Sequence, residues 1–200
     1  MAGLRAEREK AQSGDGIDPL ALVGALGDVM PADTIWVDET ITHSPILRQH
    51  LPMIAPQSFF RGAGGLGQGI GTALGIKLAA RERPVVLLVG DGSFLYNPVI
   101  QALGASKRHD LPIAIVIFNN KKYEAMRKGH VHHYPDGASA SNDLHYGVTI
   151  DGPDYAQLGS HFGFHGQRVE RLAELNGALR GALAAIKGRR TAILNVHVTR

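Results

Sequence analysis

The sequence predicts an α/β protein built on a six-stranded parallel sheet with helices on both faces. Three observations carry that expectation. Two apolar runs, 84–89 and 111–118, read as buried parallel strands, and a helical segment lies between them. Four further strand-like runs, at about 34–37, 58–61, 165–169 and 191–198, are spaced along the chain and separated by helical patterns. Right-handed crossover connections then bring the strand ends to one edge of the sheet, the edge where open α/β sheets bind ligands.

Composition bounds the problem. Two hundred residues suffice for one domain with a sizeable core. With 44% hydrophobic and 20% charged residues the chain has the balance of a globular protein. It has no cysteine, which excludes disulfides, thiolate catalysis and a cysteine zinc site. The apolar runs are too short to span a bilayer, and the first residues hold no apolar stretch of the kind a secretory signal needs, so a cytoplasmic protein without membrane contact is expected. The net charge is +3, but Lys and Arg are scattered, so no nucleic-acid partner is expected; a basic cleft for a phosphate accounts for the charge equally well.

Residues 1–16 mix charge with small residues and read as a tail or linker, leaving 17–200 as the domain. Asp18 and Pro19 open a helix, Asp18 as its cap, with Leu20, Leu22, Val23 and Leu26 on the buried face and Pro31 at its close. The strand at 34–37 runs into Thr40, Thr42 and Ser44, hydroxyls able to serve either as turn chemistry or as donors to an anion. After the strand at 58–61, seven of the 25 glycines fall between Gly62 and Gly75. That density implies backbone pressed close to another body before a helix over about 68–80. Gly62, Gly64 and Gly67 match G-x-G-x-x-G, with Asp91 at the end of the next strand. An NAD(P)-binding oxidoreductase domain is therefore the rival reading, though it gives Asn119 and Asn120 no task.

The strand at 84–90 ends in Gly90-Asp91-Gly92-Ser93, and the strand at 113–119 in Asn119-Asn120. Between them Asn97 is expected to cap a helix whose first residue is Pro98. One carboxylate and one amide thus face one small volume, an oxygen-rich setting suited to a hard divalent cation shared with a phosphate. His130, His132 and His133 follow in a polar segment, expected to be a loop or an active-site flap. A zinc site there would need further ligands. A short helix over 154–162, the strand at 165–169, an amphipathic helix over 171–187 and the strand at 191–198 complete the chain.

Gly90-Asp91-Gly92-Ser93 and Asn119-Asn120, with the glycine-rich segment upstream, together resemble the thiamine diphosphate motif. From about Asp18 to the end, the chain is similar to the C-terminal, diphosphate-binding domain of the benzoylformate decarboxylase and acetohydroxyacid synthase family. The resemblance implies thiamine diphosphate and Mg²⁺ as cofactors. Asp91, Asn120 and the main-chain carbonyl of Lys122 match the metal ligands. Gly90, Gly92 and Ser93 match the diphosphate cradle, with Thr40 and Tyr123 beside it. Gly64 matches the carbonyl that accepts from the 4′-amino group, Gly65 lies beside it, and Leu66 matches the apolar wedge that bends the cofactor. The chain departs from the usual pattern where Lys121 and Glu124 replace glycines that many relatives carry.

The resemblance also implies a 2-oxo acid decarboxylase or carboligase activity. It further implies a separate pyrimidine-binding domain that supplies an activating glutamate. No candidate for that glutamate is found here. The expectation is a subunit of a split, homo- or hetero-oligomeric enzyme, or a fragment, inactive alone. A non-catalytic cofactor-binding module is the remaining alternative.

Overall fold

The computed structural model describes residues 16–62, 64–142 and 144–199. The expected tail lies outside them apart from Gly16. All six expected strands form: β1 (Ile35–Glu39), β2 (Phe59–Arg61), β3 (Val85–Gly90), β4 (Ala114–Asn119), β5 (His165–Val169) and β6 (Ala192–His197). They pair in parallel in the order β2-β1-β3-β4-β6-β5. Helices α1 (Pro19–Val29), α2 (Ser44–His50) and α3 (Gly69–Ala79) belong to the first half of the chain. They are followed by α4 (Asp91–Tyr96), α5 (Val99–His109), α6 (Glu124–His133), α7 (Ala138–Asn142), α8 (Gln157–His161) and α9 (Leu172–Lys187).

The central strands are apolar on both sides because both sides are covered. In β3, Val86 and Leu88 pack with Leu22 and Leu26 of α1 and Leu179 of α9. Val85, Leu87 and Val89 of the same strand pack with Ile70 and Leu74 of α3 and Leu103 of α5. The period-two alternation of side chains sends each set to its own layer. Each fully buried Leu or Ile contributes about 1.5–3 kcal/mol of transfer free energy. The two layers therefore fix the sheet register, since a slip of one residue would exchange their side chains.

The order reverses at β1. The chain leaves β1 through α2 to reach the edge strand β2, then returns through α3 to β3 on the other side of β1. Loops diverge to opposite faces at such a point and leave a crevice beyond the carboxyl ends of the strands. That crevice holds the site described below. The start of the domain is joined to its end: Ile17 bridges Val198, and Thr199 N–H donates to the Ile17 carbonyl at 2.8 Å.

Several sequence expectations are corrected. Asp18 does cap α1, accepting from Leu20 N–H at 2.7 Å. Asn97, however, does not cap α5, which starts at Val99 after Pro98. Residues 91–96 form a helix of their own, and Asn97 sits at its C-terminal end. Its side chain is spent elsewhere: Oδ1 accepts from Ile70 N–H at 2.9 Å, and Nδ2 donates to Glu39 and to the Ser93 carbonyl. The three histidines expected in a loop lie in the last turn of α6, where a helix favours positive charge.

Candidate active site

Turns from β1, β3 and β4 meet at the carboxyl edge around a cavity of about 390 Å³. The β1 turn is built on Asp38, which is 1% exposed. Its Oδ1 accepts from both the N–H and the hydroxyl of Thr40, at 2.9 and 2.8 Å. Its Oδ2 accepts from the Ser44 hydroxyl, and Arg61 lies 3.5 Å away. A carboxylate this deep must be fully solvated by protein donors, so the Thr40 hydroxyl is committed to it. Thr40 lines the cavity with its hydroxyl directed to Asp38.

Two residues of this turn carry signals that the motifs do not. Ile41 has φ of 50°, a left-handed conformation that a β-branched side chain adopts only under constraint. His43 is buried against Phe118, ring centroids 5.4 Å apart, and its Nδ1 has no hydrogen-bond partner. Burial, with Lys128 nearby, lowers its pKa to about 4, so the ring is neutral at physiological pH.

The β3 turn passes directly into α4. Asp91 is 2% exposed; its Oδ1 accepts from Gly92 N–H at 3.0 Å, while its buried Oδ2 has no partner. Burial raises this carboxyl to about 6, and the N–H groups of Gly92, Lys121 and Lys122 oppose the rise. The β4 turn thus lies near the Asp91 carboxylate, while the Lys121 and Lys122 amides themselves donate to Asn119 and Asn120. Apart from the Gly92 N–H, which Asp91 accepts, the first N–H groups of α4 have no acceptor within the helix. Gly92 is required here: a Cβ would stand 2.4 Å from the Tyr123 ring.

The β4 turn is held by its own amides. Asn119 donates to Asn195 Oδ1 at 2.9 Å and accepts from Lys121 N–H at 3.1 Å, and Asn120 Oδ1 accepts from Lys122 N–H at 3.1 Å. Lys121 adopts φ of 56°, so the position where relatives of the resembled family carry glycine keeps a left-handed backbone with lysine in place. Tyr123 N–H donates to the Val148 carbonyl, and Ile150 N–H to that of Lys121. This pairing turns the carbonyl of Lys122 away from residue 149.

The glycine-rich segment closes the fourth side. Gly64 has φ of +96° and open space where a Cβ would be, and Leu66, 39% exposed, lines the cavity. Gly65 does not line it; a Cβ there would meet Gln68 instead. Behind this segment Glu39 accepts from Gln68 N–H, Gly69 N–H and Asn97 Nδ2 at 2.9, 3.2 and 2.8 Å, fastening β1, α3 and the end of α4 together.

Gly64, Leu66, Gly90, Asp91, Gly92, Ser93, Asn120, Lys122 and Tyr123 thus surround one space together with Thr40. Motif reading missed Ile41, His43, Tyr96, Phe118, Met126 and Gly147 in its walls. The signal for His43 was its place after Thr40 and Thr42 at a strand end; the others became neighbours only through folding. His130, His132 and His133 are not among the lining residues. Among the described residues no three His, Cys, Asp or Glu side chains are grouped to hold a metal ion, so nothing supports zinc at the histidines. The dinucleotide reading meets a topological obstacle. Its glycine strand and acid-bearing strand should be neighbours, whereas β1 separates β2 from β3.

Comparison with known proteins agrees with this geometry. Residues 41–196 match the family described as thiamine pyrophosphate enzyme, C-terminal TPP binding domain. The chain is 32% identical to acetolactate synthase isozyme 2 large subunit of Escherichia coli, over 83% of this chain and 29% of that protein. It is 32% identical to benzoylformate decarboxylase of Pseudomonas aeruginosa, over 88% of this chain and 32% of that protein. The structure of thiamine diphosphate-dependent 4-hydroxybenzoylformate decarboxylase from Rhodococcus jostii superimposes with a TM-score of 0.81. It is 28% identical and covers 93% of this chain and 33% of that one. The chain therefore spans about a third of the length of these relatives.

Proposed function

The chain belongs to the C-terminal TPP-binding domains of thiamine pyrophosphate enzymes, and from that premise we propose that its cavity holds the diphosphate end of thiamine diphosphate with Mg²⁺, as part of a 2-oxo acid decarboxylase or acetolactate synthase-like carboligase. The observation that carries this reading is the unpartnered, buried Oδ2 of Asp91 on the same cavity wall as Asn120 and Lys122. A buried carboxylate oxygen without a donor is costly, and a hard cation compensates it.

Asp91, the Asn120 side-chain oxygen and the Lys122 carbonyl would hold Mg²⁺, leaving the remaining octahedral positions to diphosphate oxygens and water. Gly90, Gly92 and Ser93 would offer backbone and hydroxyl donors to the phosphates. His43 would add an imidazole N–H. Tyr123 fixes the width of the cradle by packing against Gly92. Gly64 and Leu66 would receive the ring portion, Gly64 through its carbonyl and Leu66 as an apolar support. When bound, thiamine diphosphate supplies the carbon nucleophile and the electron sink of the reaction; the protein supplies binding and orientation.

No lining carboxylate is free to act on the pyrimidine ring, since Asp91 would face the metal. The lining carboxylates are Asp91 and Glu124, and Glu124 is held by Arg127 at 2.7 Å, which keeps its pKa low. A glutamate brought by a pyrimidine-binding domain would complete the site, carried on another chain or on a further segment of a longer protein. The chain alone would then bind cofactor weakly and not turn over. Among the described residues no helix is long and apolar enough to cross a membrane.

Calorimetric titration with thiamine diphosphate and Mg²⁺ tests the proposal. Asp91→Ala should lose the metal-dependent part of the binding heat while the thermal midpoint holds or rises, because a buried carboxylate with an unpartnered oxygen is removed. Equal binding by both proteins, or binding of NAD⁺ in place of thiamine diphosphate, would refute it.

A further inference from the structure

A second cavity, of about 220 Å³, opens on the opposite edge of the sheet, beyond the amino ends of β4, β5 and β6. Its walls come from the end of α5, the turn after α9 and the turn between α8 and β5. Lys107, Arg189 and Arg190 line it against a single acid, Asp110. Asp110 is bound to Arg189. Lys107 and Arg190 are solvent-exposed and carry no carboxylate partner among the described residues, so two cations stand unpaired at the rim of the cavity.

The same cavity has an apolar wall. Phe162 and Phe164 stack with ring centroids 5.9 Å apart and an interplanar angle of 18°, and both are packed against the core. Pro112 also lines the cavity. The hydroxyls in this cavity are already used: Ser106 and Thr191 bond each other at 2.7 Å, and Ser106 also donates to the Leu111 carbonyl. Polar recognition therefore falls to Lys107 and Arg190. Asp110 and Arg189, with φ of 52° and 61°, end helices α5 and α9 in left-handed caps, so the rim is set by two helix termini.

We propose that this cavity is a binding site for a small organic anion, a carboxylate carried on a flat apolar body. The carboxylate would pair with Arg190 and Lys107, Arg190 through its planar fork. The apolar body would lie on the Phe162–Phe164 wall. The volume is below the roughly 300 Å³ at which pockets begin to take drug-sized ligands, which excludes a dinucleotide or a second thiamine diphosphate. This inference is independent of the cofactor assignment, because the two cavities lie on opposite edges of the sheet.

The test is a ¹H–¹⁵N correlation titration of the full chain with sodium benzoate, and in parallel with inorganic phosphate. Saturable shifts are expected at Gly163, Phe164, Arg190 and Thr191, with phosphate binding more weakly because it leaves the apolar wall uncovered. The double variant Lys107→Gln, Arg190→Gln should keep the wild-type thermal midpoint and bind benzoate roughly tenfold more weakly. Shifts confined to residues 90–93 and 119–123, phosphate binding as tight as benzoate, or unchanged affinity in the double variant would each overturn the assignment.

Discussion

His43 shows how one side chain can carry information that no motif holds. Its ring is buried beside Phe118 and its pKa is lowered from 6.5 to about 4, chiefly by desolvation. The folded protein therefore binds this proton less tightly than the unfolded chain. The stability linked to His43 is whole above pH 6.5 and is lost as pH falls towards 4. Between pH 7 and pH 4.5 the loss amounts to about 2–3 kcal/mol. Urea unfolding of the wild type and of His43→Gln at the two pH values should show that difference shrinking in the variant; equal acid sensitivity would mean that the ring is solvated. Strain gathers around the same space, with Ile41, Gly64 and Lys121 all at positive φ. Only one of the three is a glycine, so the cavity's shape is maintained against local preference by Asp38 below Ile41 and by the Asn119 and Asn120 amides around Lys121.

At the scale of elements, the site depends on joints between helices and strands. Glu39 is the main one, a buried carboxylate at the end of β1 that accepts from the amino end of α3 and from Asn97. Negative charge at a helix start is favourable, and here it also sets where the glycine-rich segment lies relative to β3. Glu39→Gln would turn an amide towards N–H donors and leave some of them unpaired. The expected cost is about 1–3 kcal/mol, read as a lower urea midpoint, together with weaker cofactor binding because Leu66 and Gly64 are displaced with α3. Undiminished stability would show that the joint is solvated in solution.

For the whole molecule, the cavity is open on a side ringed by apolar groups. Ile41, Leu66, Tyr96 and Met126 line it and are 36%, 39%, 61% and 67% exposed. A partner bringing the pyrimidine-binding domain would cover that rim. Met126→Glu, on a helix with no buried residue, should leave the thermal midpoint unchanged. It should abolish association with a separately expressed pyrimidine-binding domain in analytical ultracentrifugation, and with it any decarboxylation. Turnover of a 2-oxo acid by the purified chain alone would overturn the proposed dependence on a pyrimidine-binding domain.

Much of this was readable in one dimension. The six strands were legible because their apolar runs are short, separated and bounded by Gly, Pro, Asp and Asn. The pair formed by Asp91 and Asn120 was legible because crossover handedness sends successive strand ends to one edge. Helix α4 was not, since Asp91-Gly92-Ser93 reads equally as a turn, and its Phe94 finds the core and Tyr155 only in the folded chain. The role of Asn97 was misread because its partners, Glu39 and Ile70, are distant in the chain. The sequence by itself determined the layers, their order of elements and the carboxylate and amide at the ligand edge, all consequences of local pattern and chirality. Tertiary structure decided which oxygens stay unpaired, which backbone is strained and where the histidine and the cations gather. Those properties depend on what long-range neighbours supply or withhold.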